Sequence, residues 1–488
     1  MRRGRDASIA VALAWVCSAP LFLSADPAGA AENSTQAPPA QGIAAQAEPD
    51  DRTKMVAAAR ALLKDDLFED ALDRAGAAVE RWPDDADARV VKGDALYRRG
   101  DFDEAESEYR LAVALDPNCA AGHFGVGRIL RTLGKYGEAA ESFHTAAALD
   151  PNTPRHLRVL SNHLAKREDS IAMLHRYLDL ARRYGSGESA DAIRNTEAWL
   201  ALLAAAGDKP ISHMEKGEPT ELPLRVDRNQ TYIRMTVSGV KDQRFVFDTG
   251  ATGVTVSPRL ARKAGMRPIR PFTIAGTGAS GQETGDLVLV DSIALGDGIV
   301  LRNVPATMRE PAGPEEGLIG PSLFSAMAIT IDMKGRTLSF DPPGGQRPGR
   351  VEPFRNVGGE ILVRAKVNGI PFNAMVDSGS ASTIIGRTTV SRVPEMQAAP
   401  GQWFLGTTVG VGGPLAERRV VIAGTLSLAG RVFPADGLLS GSLDGFSRAM
   451  ESEVYVILGV PHLDDFIFTI DYRAMTVTFL DRAEKGAK

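Results

Sequence analysis

Residues 245–252 read Phe-Val-Phe-Asp-Thr-Gly-Ala-Thr, and residues 373–380 read Asn-Ala-Met-Val-Asp-Ser-Gly-Ser. Each stretch is a short apolar run, which predicts a buried strand, followed by Asp-Thr/Ser-Gly. Two such strands could bring Asp248 and Asp377 together at one site. Carboxyl groups held that close share a proton, so that one serves as general base and the other as general acid. The pair therefore indicates hydrolytic chemistry.

The segments that follow the two aspartates also repeat. Three apolar segments follow each aspartate: 318–320, 330–332 and 338–340 in the first half, and 457–459, 469–471 and 477–479 in the second. The interval from the glycine of the first segment to the aspartate of the second is 12 residues in both halves, and from there to the phenylalanine of the third it is 8. A single Asp-Thr-Gly is common in turns. The matched intervals predict a duplicated fold.

This pattern resembles the aspartic proteases, specifically the retropepsin-like lobes of the bacterial aspartyl protease kind, two in tandem over roughly residues 222–481. The resemblance implies that the later apolar-apolar-Gly segment lies beside each aspartate strand. It also implies that Thr249 and Ser378 hydrogen-bond across the lobe boundary. A water between Asp248 and Asp377 would attack a peptide carbonyl, with neither a metal nor another cofactor.

The residues that flank the aspartates have supporting roles in this interpretation. Gly250 and Gly379 let the backbone approach the partner loop and turn its amides toward the carboxylates. Ser380 stands three positions after Asp377, where the first lobe has Ala251. Stabilisation by the Ser380 hydroxyl would make Asp377 the more readily ionised member of the pair.

Two glycine-rich stretches have the composition of mobile hairpins that cover a substrate. The first is 274–281, with Gly276, Thr277 and Gly278, and the second is 405–413, with Gly406 and Thr407. Ordinary surface loops are the alternative. Neither stretch carries the flap tyrosine of pepsin-like enzymes.

The amino-terminal part of the chain repeats every 34 residues, with prolines at 49, 83, 117 and 151. This period resembles tetratricopeptide repeats, in which helical hairpins must stack because none buries its apolar face alone. Three units are clear, a fourth from Pro151 to about Tyr184 is degenerate, and Ser189 to Ala206 predicts a capping helix. Such an array offers a surface for a protein partner, or serves only as a spacer or an intramolecular brace.

Composition and the first residues limit the compartment and the chemistry. The net charge of −5 gives no electrostatic reason to expect nucleic-acid binding. A basic start, a mostly apolar run over 7–24 and Ala28-Gly29-Ala30 predict a secretory leader cleaved after Ala30, hence a periplasmic or secreted protein; an uncleaved anchor is the alternative. Cys119 is then the single cysteine, without a disulfide partner. The histidines of the helical region lack metal-ligand spacing: His123, His144, His156, His163 and His175.

The sequence thus predicts a multidomain α plus β protein in which an α-helical repeat solenoid precedes two retropepsin-like all-β lobes. The expected order is a leader (1–30), a disordered tether (31–48), repeats (49–206), a linker (207–222), lobe 1 (223–343), a linker (344–350) and lobe 2 (351–482). The predicted function is an exported aspartic endopeptidase whose repeats bind a protein partner or substrate. Two alternatives are a non-catalytic protein-binding scaffold and a site formed between lobes of two molecules.

Overall fold

The computed structural model describes residues 50–184, 189–227, 229–275, 282–311, 313–393, 403–410, 413–421, 424–434 and 438–485. The predicted leader and tether lie outside these residues. Within these ranges, no helix has the length and apolar character needed to cross a membrane.

The amino-terminal region is entirely helical in the part of the chain that the structure describes. Its elements are α1 (Asp51–Lys64), α2 (Phe68–Arg81), α3 (Ala86–Arg99), α4 (Phe102–Leu115), α5 (Ala120–Thr132), α6 (Tyr136–Leu149), α7 (Pro154–Ser161), α8 (Arg167–Tyr184) and α9 (Ala190–Ala206). At the start of several helices, a side chain accepts a hydrogen bond from a backbone amide that has no partner within the helix. At the start of α9, for example, the Ser189 hydroxyl accepts from Ala192 N at 3.1 Å.

The 34-residue period reflects how the paired helices pack. A Cβ on Gly93 would lie 2.8 Å from the Tyr109 ring, and one on Gly127, its equivalent in the next repeat, would lie 2.6 Å from the Phe143 ring. Tyr109 and Phe143 are fully buried, so the glycines provide the space that each ring fills. The degenerate fourth unit has a short first helix, α7, of 8 residues.

Each aspartate lies in its own β lobe. Lobe 1 contains β1 (His213–Gly217), β2 (Thr220–Pro223), β3 (Arg225–Asp227), β4 (Gln230–Val237), β5 (Val240–Phe247), β6 (Val254–Val256), α10 (Pro258–Lys263), β7 (Arg270–Ala275), β8 (Gln282–Leu295), β9 (Ile299–Met308), β10 (Gly317–Ile319), β11 (Ala328–Asp332) and β12 (Thr337–Asp341). Its main sheet has the order β1-β9-β6-β10-β5-β4-β8-β7, with β3 paired to β4.

Lobe 2 repeats much of this plan. It contains β13 (Arg350–Pro353), β14 (Arg355–Val357), β15 (Glu360–Val367), β16 (Ile370–Val376), β17 (Ile384–Gly386), α11 (Arg387–Arg392), β18 (Trp403–Gly410), β19 (Gly413–Val421), β20 (Thr425–Leu428), β21 (Arg431–Pro434), β22 (Leu439–Gly441), α12 (Asp444–Met450), β23 (Val456–Leu458), α13 (Val460–Leu463), β24 (Phe466–Asp471), β25 (Thr476–Asp481) and α14 (Arg482–Lys485). Its sheet has the order β18-β19-β22-β17-β23-β16-β15-β20-β21, with β14 paired to β15.

A third sheet, of 6 strands, joins the two lobes in the order β13-β25-β24-β11-β12-β2. The matched Thr-Ile-Asp segments meet at its centre, where the hydroxyls of Thr330 and Thr469 hydrogen-bond at 2.9 Å. One continuous hydrophobic core runs through both lobes and includes Phe247, Phe340 and Phe468. The lobes are therefore held by shared strands as well as by the chain between them.

The segment predicted as a linker at 207–222 contains ordered strands. β1 pairs with β9 of the lobe 1 sheet, and β2 pairs with β12 of the joining sheet. Both lie at sheet edges and have little apolar alternation, so their formation depends on remote partners that a local pattern does not reveal.

Candidate active site

The two aspartates follow the central strands of the two lobes. Asp248 comes directly after β5, and its backbone amide donates to Ile319 O at 3.0 Å; Asp377 comes directly after β16, and its amide donates to Leu458 O at 3.0 Å. β10 lies parallel to β5, and β23 lies parallel to β16. The placement of each apolar-apolar-Gly segment beside its aspartate strand is confirmed.

The glycines that end these segments permit a close approach. A Cβ on Gly320 would lie 2.0 Å from Ala251 O, and a Cβ on Gly459 would lie 2.3 Å from Ser382 O. Any larger residue would push the loop that carries the aspartate away from its supporting strand.

Thr249 and Ser378 bind the two loops to each other. The Thr249 hydroxyl donates to Val376 O at 2.8 Å and accepts from Ser378 N at 2.8 Å. The Ser378 hydroxyl donates to Phe247 O at 2.9 Å and accepts from Thr249 N at 3.1 Å. Both side chains are buried. Thr231, which the sequence did not single out, adds hydroxyl contacts to Phe247 O at 2.5 Å and Ser378 O at 3.3 Å.

These contacts bring the carboxyl groups of Asp248 and Asp377 into a mutual hydrogen bond. Gly250 N donates to Asp248 Oδ1 at 2.8 Å, and Gly379 N donates to Asp377 Oδ1 at 2.9 Å. Each glycine also faces the opposite carboxyl group, because a Cβ on Gly379 would lie 2.4 Å from Asp248 Cγ and a Cβ on Gly250 would lie 2.6 Å from Asp377 Cγ. Thus the residues expected to meet at one site do so.

The two carboxyl groups differ in acidity. Burial raises the pKa of both, and the pKa of Asp377 is raised further by the charge of Asp248 and by the hydrogen bond that its proton makes to Asp248. The Ser380 hydroxyl donates to Ser382 O at 2.8 Å, whereas its backbone amide contacts the Asp377 carboxyl group. The expected stabilisation of Asp377 by that hydroxyl is therefore wrong, and Asp248 is the more readily ionised member.

A third carboxyl group, from Glu360 at the start of β15, interacts electrostatically with both aspartates. Burial is the main reason that the pKa of Glu360 lies well above its usual value, and the charges of Asp248 and Asp377 raise it further. The side chain is 5% exposed. Sequence reasoning missed it, although superposing the two halves would have placed Glu360 opposite Gln230.

Comparison with known families agrees with this geometry. Residues 233–323 and 363–461 match the aspartyl protease family, and residues 56–118 and 92–154 match the tetratricopeptide repeat. The chain combines two tandem aspartyl protease lobes with amino-terminal tetratricopeptide repeats. Asp248 lies in the first matched protease segment and Asp377 in the second. No curated protein matches the chain.

The hairpins expected to cover a substrate are described in part. β7 and β8 of the first aspartyl protease lobe form a hairpin that pairs up to Ala275 and Gln282, while Gly276, Thr277 and Gly278 lie outside the described residues. In the second lobe, Gly406 and Thr407 belong to β18, which pairs with β19 as a hairpin. Their contact with a substrate stays a prediction.

The second aspartyl protease lobe docks on the repeats through an ion cluster. Glu451, at the end of α12, pairs with Arg128 of α5 at 3.2 Å and with Arg155 of α7. The Arg128 guanidinium lies 3.7 Å from the centre of the Tyr97 ring. Burial alone would raise the pKa of Glu451. The positive charges around it outweigh burial and lower that pKa to about 2; they belong to Arg155, Arg128, Arg98 and Arg158. Apolar side chains of α3 to α5 and of lobe 2 form a shared core around this cluster.

The first aspartyl protease lobe docks on α9. Asn195 donates from Nδ2 to Thr273 O at 2.8 Å and accepts at Oδ1 from Thr273 N at 2.8 Å. Trp199 and Leu202 of α9 pack with Phe272 of β7. Because β7 is the edge strand of its sheet, the Asn195 amide supplies the backbone partners that the edge lacks.

The remaining candidate groups have structural surroundings. His156 and His163 stack on Phe124 and Phe143, and burial lowers their pKa values, that of His163 to about 3. Cys119 begins α5 and accepts from Gly122 N at 3.4 Å. In the described ranges, no three acidic, histidine or cysteine side chains are grouped as metal ligands.

Proposed function

We propose that this chain is an aspartic endopeptidase that hydrolyses peptide bonds with a water activated between Asp248 and Asp377. The observation that carries the proposal is the meeting of two half-buried carboxyl groups, each of which faces the glycine of the opposite loop. Burial raises the pKa of both, and the charge of Asp248 raises that of Asp377 further. That inequality gives each group a different role in proton transfer.

Asp248, the more acidic group, is the base. It takes a proton from the water as the oxygen attacks the carbonyl carbon, while Asp377 donates its proton to the carbonyl oxygen. The C–N bond then breaks as the nitrogen receives the proton held by Asp248, and a hydroxyl proton returns to Asp377. The amides of Gly250 and Gly379 hold the two carboxyl groups in position throughout.

The leader-like first residues support export, and we place the enzyme in the periplasm or outside the cell. The repeats bind both lobes, through Glu451 on one side and Asn195 on the other. Partner or substrate proteins would therefore use the part of the repeat surface that the lobes leave open.

The proposal is tested by digesting an unfolded protein with the wild type, Asp248→Asn and Asp377→Asn from acid to neutral pH. We expect each variant to lose cleavage by a factor of about 1,000 or more, because the acid and the base act as one unit. Asp297→Asn, at an exposed position, is the control. Absence of cleavage by the wild type at every pH would refute the peptidase and leave a protein-binding scaffold.

A further inference from the structure

Glu360 occupies the position in lobe 2 that Gln230 occupies in lobe 1. Tyr232 pairs with Val246, two residues before Asp248, and Leu362 pairs with Met375, two residues before Asp377. Counting back two residues from Tyr232 and from Leu362 reaches Gln230 and Glu360, each the first residue of its strand. The duplicated fold thus places an amide and a carboxyl group at equivalent positions.

The Gln230 side chain shows which way this position faces. Its Nε2 donates to Gly379 O at 3.4 Å, in the loop that carries the aspartate of the opposite lobe. The equivalent direction for Glu360 is the loop that carries Asp248, in agreement with its electrostatic interaction with both aspartates. Gln230 has a protein partner at this place, whereas Glu360 Oε2 is buried without a hydrogen-bond partner in the described part of the chain.

The surroundings of Glu360 favour a cation. Three carboxyl groups interact there, and no arginine or lysine is among the groups that shift their pKa values within the described residues. Burial and then the Glu360 charge raise the pKa of the neighbouring Tyr472, whose hydroxyl brings no positive charge to this place. A buried carboxyl oxygen without a partner is costly, and a positively charged side chain would supply both the hydrogen bond and the counter-charge.

We propose that Glu360 binds a lysine or arginine side chain of the peptide substrate, next to the two aspartates. This specificity rests on the proposed peptidase function. On binding, Glu360 releases its proton and becomes the counter-ion of the basic side chain. Peptides with an uncharged side chain at the same place leave Glu360 protonated and its oxygen unsatisfied.

The test uses quenched fluorescent peptides in which lysine or norleucine occupies each position beside the scissile bond. The wild type should cleave the best lysine peptide with a kcat/KM about tenfold or more above that of its norleucine counterpart, the factor expected for one charge-assisted hydrogen bond. Glu360→Gln should abolish that preference while cleaving the norleucine peptides. Glu453→Gln, at a buried acid that faces Thr388 and Ser447, should retain it.

A binding measurement separates this proposal from the proposed reaction. Calorimetry with reduced-amide analogues of the best lysine and norleucine peptides needs no turnover. Tighter binding of the lysine analogue that Glu360→Gln abolishes, in a protein that cleaves nothing, supports the basic subsite and refutes the peptidase. Cleavage without a lysine preference, an equal preference in Glu360→Gln, or no binding of either analogue overturns the basic subsite.

Discussion

The unequal acidity of Asp248 and Asp377 arises from neighbours rather than from residue type. Both are half-buried aspartates that accept from a glycine amide two residues later. The pKa of Asp377 is raised by burial and then by the charge of Asp248, whereas the hydrogen bond from Asp377 lowers the pKa of Asp248 and so partly offsets the effect of burial. Coupled groups titrate as a pair, so kinetics will report two apparent pKa values.

The pH profile of kcat/KM follows from this assignment. Activity should fall at low pH as Asp248 takes a proton and at high pH as Asp377 loses its own. Both pKa values are raised from 3.8, so both limbs should lie above that value. A profile measured from acid to neutral pH whose maximum lies below 3.8 would contradict the assignment.

Ser378 and Ser380 provide a matched pair of substitutions. Ser378→Ala would leave the buried Thr249 N–H without its partner and Phe247 O with the Thr231 hydroxyl alone, and should destabilise the fold by about 1–3 kcal/mol and lower kcat. Ser380→Ala removes a hydroxyl that faces Ser382 O, and should leave the acidic limb of the profile in place. Thermal unfolding and pH–rate curves measure both effects. A shifted acidic limb in Ser380→Ala would show that its hydroxyl does act on Asp377.

The sequence predicted the aspartates, their glycines and the contact of Thr249 with Ser378, because these residues stand in a repeated local motif. It failed for the Ser380 hydroxyl, since its direction depends on loop torsion angles that residue type does not determine. It also missed Glu360, because a glutamate at the start of a strand has no local feature that indicates burial.

At the scale of elements, the contact between α9 and β7 joins the repeats to the hairpin that leads toward residues 276–281. Asn195 and Thr273 are both buried, so the two hydrogen bonds between them are shielded from water. Trp199 and Leu202 add apolar packing on the same side. The capping helix therefore fixes the outer strand of lobe 1.

Asn195→Leu should loosen β7. Loss of both amide contacts leaves the Thr273 N–H and C=O without partners, and should speed hydrogen exchange in β7 by about tenfold to a hundredfold. Exchange followed by mass spectrometry measures this, with exposed Asn152→Leu as the control. Unchanged exchange over 270–275 would mean that packing alone holds the strand.

The helices and central strands were predictable because each has its own periodicity and turn residues. Asn368-Gly369, for example, forms the expected hairpin turn, with φ of 48° and 81°. The strands at 213–217 and 220–223 were not predictable from the sequence, because they form by pairing with strands far along the chain. The packing of the helices against the lobes was not predictable either, because neither the 34-residue repeat nor the duplicated lobe pattern contains information about it.

For the whole molecule, the Glu451 cluster should make stability depend on pH. Glu451 has a pKa lowered from 4.5 to about 2, so its contribution is complete above pH 4.5 and is lost as the pH falls through 2. That shift corresponds to about 3 kcal/mol. Glu451→Gln should lower the thermal midpoint at pH 7 and have progressively less effect toward pH 2. An equal loss at both pH values would indicate steric disruption instead.

The position of both aspartates in one chain makes a further prediction. Asp248→Asn and Asp377→Asn should each be inactive, and mixing them should restore nothing, because each monomer then has half a catalytic pair. Activity of the mixture, measured with the size of the species by light scattering, would indicate a site formed between two molecules.

The docking of lobe 2 on α3 to α5 has a consequence for biogenesis. The chain is synthesised from its amino terminus, so the helices can fold before residues 443–458 have been synthesised. The helices on which lobe 2 packs are therefore synthesised before lobe 2 itself. The proposed active site, which needs a residue from each lobe, would then be completed only after the helices have formed.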